Sequence, residues 1–389
     1  MLVIGCTGPG SDLEWAGSLR IVDGVGLVWN ERALAGPDQI SLVHLWKTPR
    51  PPVAHDDTTF QNPSQVRVTA ERIYVLDAPA GHVVALDWDG TVRRWIGRRG
   101  GGPGELDRPG DLLLMHGLVG VTDRGVVDWF DSLGQHQRTG AIPTGTIEFR
   151  SGMSMPGMVI GAWPLEDGRA MFASPRGWSI GTPGDSSLRL IVPPYPASHL
   201  APEWTRIAGG SCGRVVPRGD GTILRLRCIT LLVQVLDTSG AAIREFGVPD
   251  EAQIATDHEI ARADSVGRAR RLAVGMRPEL AAATAAFSAQ QMREKPRYRD
   301  VRATDSTVIA WEQVPVEFGD GLATVHIFAV SGIYLGRVTT EDQWIDFDLR
   351  GDRLVALARE PESGLAYVVA YRLEVPPAVL AAAARALVP

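Results

Sequence analysis

The sequence predicts an all-β fold: a six-bladed β-propeller with a helical insertion between blades four and five. Three observations lead there. A turn signature recurs, a glycine-rich connector joins strand-type units, and one stretch alone switches to helical spacing.

The turn appears as Leu86-Asp87-Trp88-Asp89-Gly90, Phe130-Asp131-Ser132-Leu133-Gly134 and Leu236-Asp237-Thr238-Ser239-Gly240, with Phe328-Ala329-Val330-Ser331-Gly332 a degenerate fourth copy. Each sets an apolar residue four positions before a glycine and an outgoing strand after it, as a hairpin requires. The flanking runs, such as Ile73-Tyr74-Val75-Leu76 and His82-Val83-Val84-Ala85-Leu86, are rich in β-branched and aromatic residues. Leu86 and Phe130 are 44 residues apart, close to the period of a four-stranded blade. The next two intervals, 106 and 92 residues, hold two units and one unit plus an insertion.

The units are then 63–97, 109–140, 151–193, 208–247, 300–339 and 343–374, the third being the least regular. The run Ile40-Ser41-Leu42-Val43-His44-Leu45-Trp46 alternates as a strand does. Pairing it with the last unit would close the ring and remove exposed edges. A seventh blade would need a unit hidden in 18–46. Residues 1–17 read as a leader, 18–376 as the propeller and 377–389 as a helical tail.

The connector is Ile96-Gly97-Arg98-Arg99-Gly100-Gly101-Gly102-Pro103-Gly104-Glu105-Leu106-Asp107-Arg108-Pro109. A phosphate cradle must open a helix so that its amides face the anion. This loop runs instead into Pro109 and the apolar Leu112-Leu113-Leu114-Met115, so it reads as a link between β units. Glu105 reads as its polar support. Arg98, Arg99 and Arg108 form a candidate anion or partner patch.

Residues 250–299 break the strand pattern. Ile254, His258, Ile260, Ala261 and Ala263 have helical spacing, Pro278 suits the first turn of a second helix, and 281–292 is alanine-rich. The pair either packs on its own propeller, caps the channel or docks a partner.

Composition narrows the partners. Net charge is −6, whereas nucleic-acid binding needs a basic surface. Lys47 and Lys295 are the only lysines among 39 cationic residues, a bias expected of a GC-rich genome. The 11 tryptophans are expected mostly to anchor blades. No apolar run approaches the ~20 residues that span a bilayer.

The cysteines point to an oxidising compartment. Val3-Ile4-Gly5-Cys6 matches the end of a bacterial lipoprotein signal, which would make Cys6 an acylated mature N-terminus and supply a lipid anchor; the alternative is a free terminal thiol. A hairpin centred on Asp220 sets Cys212 opposite Cys228, near disulfide distance; the alternative is two thiols packed as small hydrophobes.

No catalytic constellation stands out. The eight histidines show no ligand spacing. Asp56-Asp57 beside His55 reads as a solvated loop, and Asp77, Asp87, Asp131 and Asp237 as caps of strand ends. No Gly-x-Ser-x-Gly elbow is present, and Ser211 lacks a placed base. No catalytic, metal or cofactor-binding residue is assigned, and no cofactor is expected.

The segment Arg67 to Pro109, with its Gly-Arg-x-Gly-x-Gly-Pro-Gly-Glu core, and the lead-in Arg20-Ile21-Val22-Asp23 with Trp29-Asn30 resemble the six-bladed propellers of the NHL-like superfamily. The resemblance implies the fold, and export or lipoprotein anchoring in an environmental bacterium. It does not assign an activity. Calcium-dependent sugar-lactone hydrolases of this architecture use carboxylates and asparagines, yet Asn30 and Asn62 are the only asparagines. The metal-binding histidines of similar amidating lyases find no match here.

The expected role is a noncatalytic extracytoplasmic scaffold, or an extrinsic subunit of a membrane complex such as a respiratory or photosynthetic one. It would bind a protein partner and no nucleic acid. The alternative is a hydrolase or lyase acting on a sugar, lactone or peptide-like substrate at the channel. A small-ligand sensor is a third reading. Carboxylates or histidines converging on the axis would favour the enzyme; an apolar, aromatic patch on the insertion would favour the scaffold.

Overall fold

The computed structural model describes residues 13–36, 38–48, 60–115, 117–141, 146–148, 154–156, 161–164, 170–174, 177–181, 189–192, 214–218, 221–227, 229–237, 239–250, 253–273, 275–291, 295, 297–314 and 321–387. Within them the chain is all-β, with helices confined to two places.

The repeated strand runs form antiparallel meanders. Sheet I comprises Pro63–Val68, Ile73–Asp77, His82–Leu86 and Val92–Ile96; sheet II, Pro109–Met115, Leu118–Asp123, Val126–Phe130 and His136–Ala141. Sheet III is Gly161–Pro164, Ala170–Ser174, Gly177–Gly181 and Arg189–Val192; sheet IV contains Arg214–Pro217, Ile223–Leu226, Leu232–Leu236 and Ala242–Gly247. Sheet V is Tyr298–Ala303, Thr307–Glu312, Thr324–Ala329 and Tyr334–Thr339. Sheet VI takes Gln343–Arg350, Arg353–Arg359 and Ala366–Glu374 from the C-terminal part and Ser41–Lys47 from the N-terminal part. That last pairing is antiparallel, with Ser41 opposite Glu374 and Lys47 opposite Val369. It is the pairing expected of the alternating 40–46 run.

The first strand of each sheet lies beside the first strand of the next, in the order I, II, III, IV, V, VI and back to I. The first strands are thus innermost and the fourth strands outermost.

The recurring turn is a bulged hairpin. Gly90, Gly134, Gly240 and Gly332 have φ of 86°, 76°, 87° and 95°, a region that costs an L-residue roughly 1–2 kcal/mol. Each glycine N–H donates to the carbonyl three residues back, at 2.8–2.9 Å. The ladder slips beside each turn, where the third strand meets the fourth. Asp131 and Asp237 cap their turns through the amides at 133 and 135, and at 239 and 241. Asp77 instead accepts the Gln61 and Asn62 amides, and Asp123 those of Asp107 and Arg108, each at the entry to its own sheet.

Apolar faces fill the space between sheets. Val66, Ile73, Val75 and Leu86 of sheet I pack with Val355, Leu357 and Val368 of sheet VI. Phe246, Phe328, Trp311, Trp344 and Phe347 join sheets IV to VI, and each such ring contributes about 2–3 kcal/mol by burial.

Three details add to the sequence reading. Gly17–Val22 and Val25–Asn30 form a hairpin that adds in parallel to Ala242–Gly247, extending sheet IV instead of starting another unit. The third unit begins at Gly161, because Ser154–Pro156 pairs separately with Thr146–Glu148. The fourth unit's first strand begins at Arg214.

Helices α1 (Asp257–Ala273) and α2 (Pro278–Gln291) pack on each other between sheets IV and V in the chain. Thr256 and Glu259 form a reciprocal capping box: the Glu259 amide donates to Thr256 Oγ1, and the Thr256 amide to Glu259 Oε2. Lys295 Nζ donates to the same carboxylate at 2.7 Å, pinning the start of the pair to its exit. Helix α3 (Pro377–Ala386) buries Val379, Ala382 and Ala383. Among the described residues no helix is long and apolar enough to cross a membrane.

Candidate functional site

A cavity of about 580 Å³ opens where sheets IV and V meet. The connection 31–40 runs over it as a strap. Its hold is backbone pairing: Leu34 and Ala35 N–H donate to the carbonyls of Tyr334 and Leu335 at 2.9 and 3.0 Å.

A polar network forms the wall toward sheet V. Arg297 pairs with Asp250 and, at 3.1 Å, with Glu312, and lies over the Tyr298 ring. Tyr298 OH donates to Asp250 at 2.7 Å. His326 Nε2 lies 2.8 Å from Glu312, and its Nδ1 lies 3.0 Å from Tyr334 OH. Burial pushes the Glu312 carboxyl up, but the His326 hydrogen bond and the His326 and Arg297 charges outweigh it, so it sits below the usual carboxylate range. Burial pushes the Tyr298 and Tyr334 phenols far upward, so both keep their protons and act as donors. With both ring nitrogens engaged, the His326 ring is held in place.

Sequence reasoning missed this group. His326 was one of eight scattered histidines, and Asp250 marked only the start of the insertion. The register that sets Glu312 opposite Thr324, two residues from His326, exists only once sheet V forms.

Carboxylates also converge on the innermost strands. Asp346 accepts from Arg67 at 2.6 Å and from the Val66 amide at 2.9 Å; Asp348 accepts the Val68 amide. Arg302 pairs with Asp300 at 2.7 Å and reaches Asp346 and Asp348 at 3.7 Å. Three acids and two arginines from sheets I, V and VI are therefore ion-paired with one another, with one formal negative charge in excess. Burial pushes the Asp348 carboxyl up, against the pull of Arg302 and Arg67. The convergence named above as a mark of catalysis is present, in ion-paired form. Among the described residues no group of three or more His, Cys, Asp or Glu is placed to hold a metal.

The glycine-rich connector carries its arginines on a paired backbone. Arg98–Arg99 pairs in parallel with Glu105–Leu106. Glu105 accepts the Gly102 amide at 2.9 Å and the Arg98 guanidinium at 2.8 Å, and these bonds hold its carboxyl below its usual range. This is the supporting role read for it. Arg98 and Arg108 are 80% and 83% exposed, and Arg99 is exposed as well. Arg124, which the sequence reading did not include, approaches the same loop from sheet II's turn, 3.7 Å from Asp107.

Cys6, Cys212, Cys228, His55, Asp56, Asp57 and Ser211 lie outside the described residues. The hairpin register around 220 is the one expected, with Arg214 opposite Leu226 and Pro217 opposite Ile223. Among the described side chains of the helix pair, Leu272 and Leu280 are exposed large apolar ones, one from each helix beside the turn between them, with Ile254 just before α1; none of these described ones is aromatic.

No family model matches the chain, and no curated protein matches it in sequence. Solved structures do resemble it. A Bacteroides fragilis protein described as exported aligns with a TM-score of 0.52 at 11% identity, covering 90% of this chain and 99% of its own. A member of the DUF4221 family from Bacteroides vulgatus aligns at 0.55 and 11% identity, covering 87% and 99%. A streptogramin B lyase aligns at 0.45 and 10% identity, over 86% and 97%. The first two likenesses bear on fold alone, and they agree with a β-propeller-like architecture.

Proposed function

We propose that the chain is a six-bladed β-propeller of the NHL-like kind that works outside the cytoplasm as a noncatalytic scaffold for an acidic protein partner. The ring order of first strands and the mixed composition of sheet VI support six blades. Residues 250–299 are then an insertion between blades four and five, and 377–389 a tail.

The observation that carries the scaffold reading is the arginine-bearing loop. Arg98, Arg99, Arg108 and Arg124 stand on a surface of an otherwise acidic chain, on backbone braced by Glu105 and Asp123. Exposed arginines on a rigid frame suit recognition of carboxylates, since little order is lost on binding. The exported Bacteroides fragilis protein of similar fold is in keeping with an extracytoplasmic place. An acylated Cys6 would anchor the scaffold at a membrane surface, as an extrinsic subunit requires.

The test is a mild-detergent pull-down from native membranes, with mass spectrometry of the partners and of the N-terminal peptide. A stoichiometric partner that is lost with Arg98, Arg99, Arg108 and Arg124 all changed to Gln, and that is weakened by salt, supports the reading. Undiminished capture by the variant overturns it.

The hydrolase or lyase alternative rests on Asp300, Asp346 and Asp348 at the innermost strands. It requires Asp346→Asn to abolish turnover of a lactone, glycoside or peptide-like substrate in a variant that still folds.

A further inference from the structure

We propose that the cavity between sheets IV and V binds a small zwitterion, an amino acid or short peptide with an apolar side chain. The site is separate from the arginine-bearing loop, and neither reading depends on the other.

Beyond the paired wall, four charged side chains line the cavity: Glu31, Arg32 and Asp38 on the strap, and Arg337 on the outer strand of sheet V. All four are exposed. None is joined in an ion pair with any described residue, although two are acids and two are bases. Charges of both signs thus border one cavity without meeting. Arg337 stands opposite His326 in the ladder, so it borders the buried network directly.

That network cannot itself take up a ligand's charge cheaply. Asp250, Glu312, Arg297 and His326 are already ion-paired with one another, with Arg297 Nε left without a hydrogen-bond partner, and breaking such pairs leaves buried charge uncompensated. The ligand's charges are therefore left to the four exposed groups, of which Arg337 also acts through its charge on Glu312. A simple anion would engage the arginines and be repelled by Glu31 and Asp38; a simple cation would meet the reverse. A molecule carrying both charges satisfies both sets, with charge-assisted hydrogen bonds at each end.

The rest of the lining is apolar, including Ile40, Leu231, Val248 and Pro249. That gives an aliphatic side chain a surface to bury. The volume falls within the roughly 300–1,000 Å³ of small-molecule sites.

The experiment is calorimetric titration of the full chain with L-leucine and L-leucyl-L-leucine, beside N-acetyl-L-leucine, which is only an anion, and L-leucinamide, which is only a cation. The expected result is saturable binding of a zwitterion, with both single-charge analogues at least about tenfold weaker. Arg337→Gln and Glu31→Gln, both at exposed positions, should each weaken binding about tenfold with unchanged melting temperature. Failure of both zwitterions to bind, equal binding of either analogue, or unaltered binding by both variants would overturn the proposal.

Discussion

Asn30 and Tyr334 are 304 residues apart in the chain, and the Asn30 side chain accepts the Tyr334 backbone amide at 2.9 Å. The same side chain donates to the carbonyls of Gly247 and Gly332, both at 3.0 Å, and accepts from Trp15 Nε1. One buried amide thus ties the N-terminal hairpin to sheets IV and V, and holds the root of the strap over the cavity. Asn30→Ala should cost about 3 kcal/mol, because it leaves buried backbone groups unpaired. A denaturant titration showing an unchanged midpoint would refute this.

The turn glycines should divide by their surroundings. Gly332 has φ of 95°, and a Cβ there would lie 2.9 Å from Phe246 Cβ. Gly125 has φ of 83° with nothing within 4 Å of that position. Gly125→Ala should therefore cost about 1 kcal/mol of backbone strain alone. Gly332→Ala should cost clearly more, since Phe246 is core and cannot step aside. Equal melting temperatures for the two variants would contradict the packing described.

The start of α1 should loosen in acid. The Lys295 hydrogen bond and the Thr256 amide hold the Glu259 carboxyl down to about 2, from an ordinary 4.5. A depressed pKa contributes stability that is complete above the ordinary value and is lost as pH falls through 4.5 toward 2. The protection factors of the first-turn amides of α1, rates corrected for intrinsic exchange, should fall across that window. In Glu259→Gln the protection should be lower at neutral pH and nearly flat with pH.

At the innermost strands, Asp346→Ala should cost about 3 kcal/mol, because Arg67 and Arg302 lose a buried counter-charge. Thermal unfolding measures it. A neutral result would mean that these pairs do not hold sheets V, VI and I together.

We propose that the pairing of Arg214 with Leu226, carried two positions further along the sequence, sets Cys212 opposite Cys228 in a disulfide. Peptide mapping without reduction should recover them as one cross-linked peptide. Two alkylatable thiols would remove that support for an oxidising compartment.

Local chemistry made much of the fold legible. The turn glycines announced themselves because positive φ all but requires glycine, and a repeated turn implies a repeated sheet. Proline at 278 and the alanine run marked α2 for equally local reasons. The Thr256–Glu259 box was readable in the same way but went unread. Long-range partners left no such mark. Nothing in the order of residues joins Asn30 to Tyr334, Arg67 to Asp346, or His326 to Glu312.

By itself, then, the sequence determined the strand units, their bulged turns, the helix pair and the strand that completes sheet VI, because each follows from backbone preference and periodicity within a few residues. The tertiary structure alone decided where the hairpin 17–30 docks, that the inner carboxylates are ion-paired, and that a cavity bordered by unpaired charges lies under the strap. Those outcomes depend on which sheets become neighbours, and that is settled by packing over the whole chain.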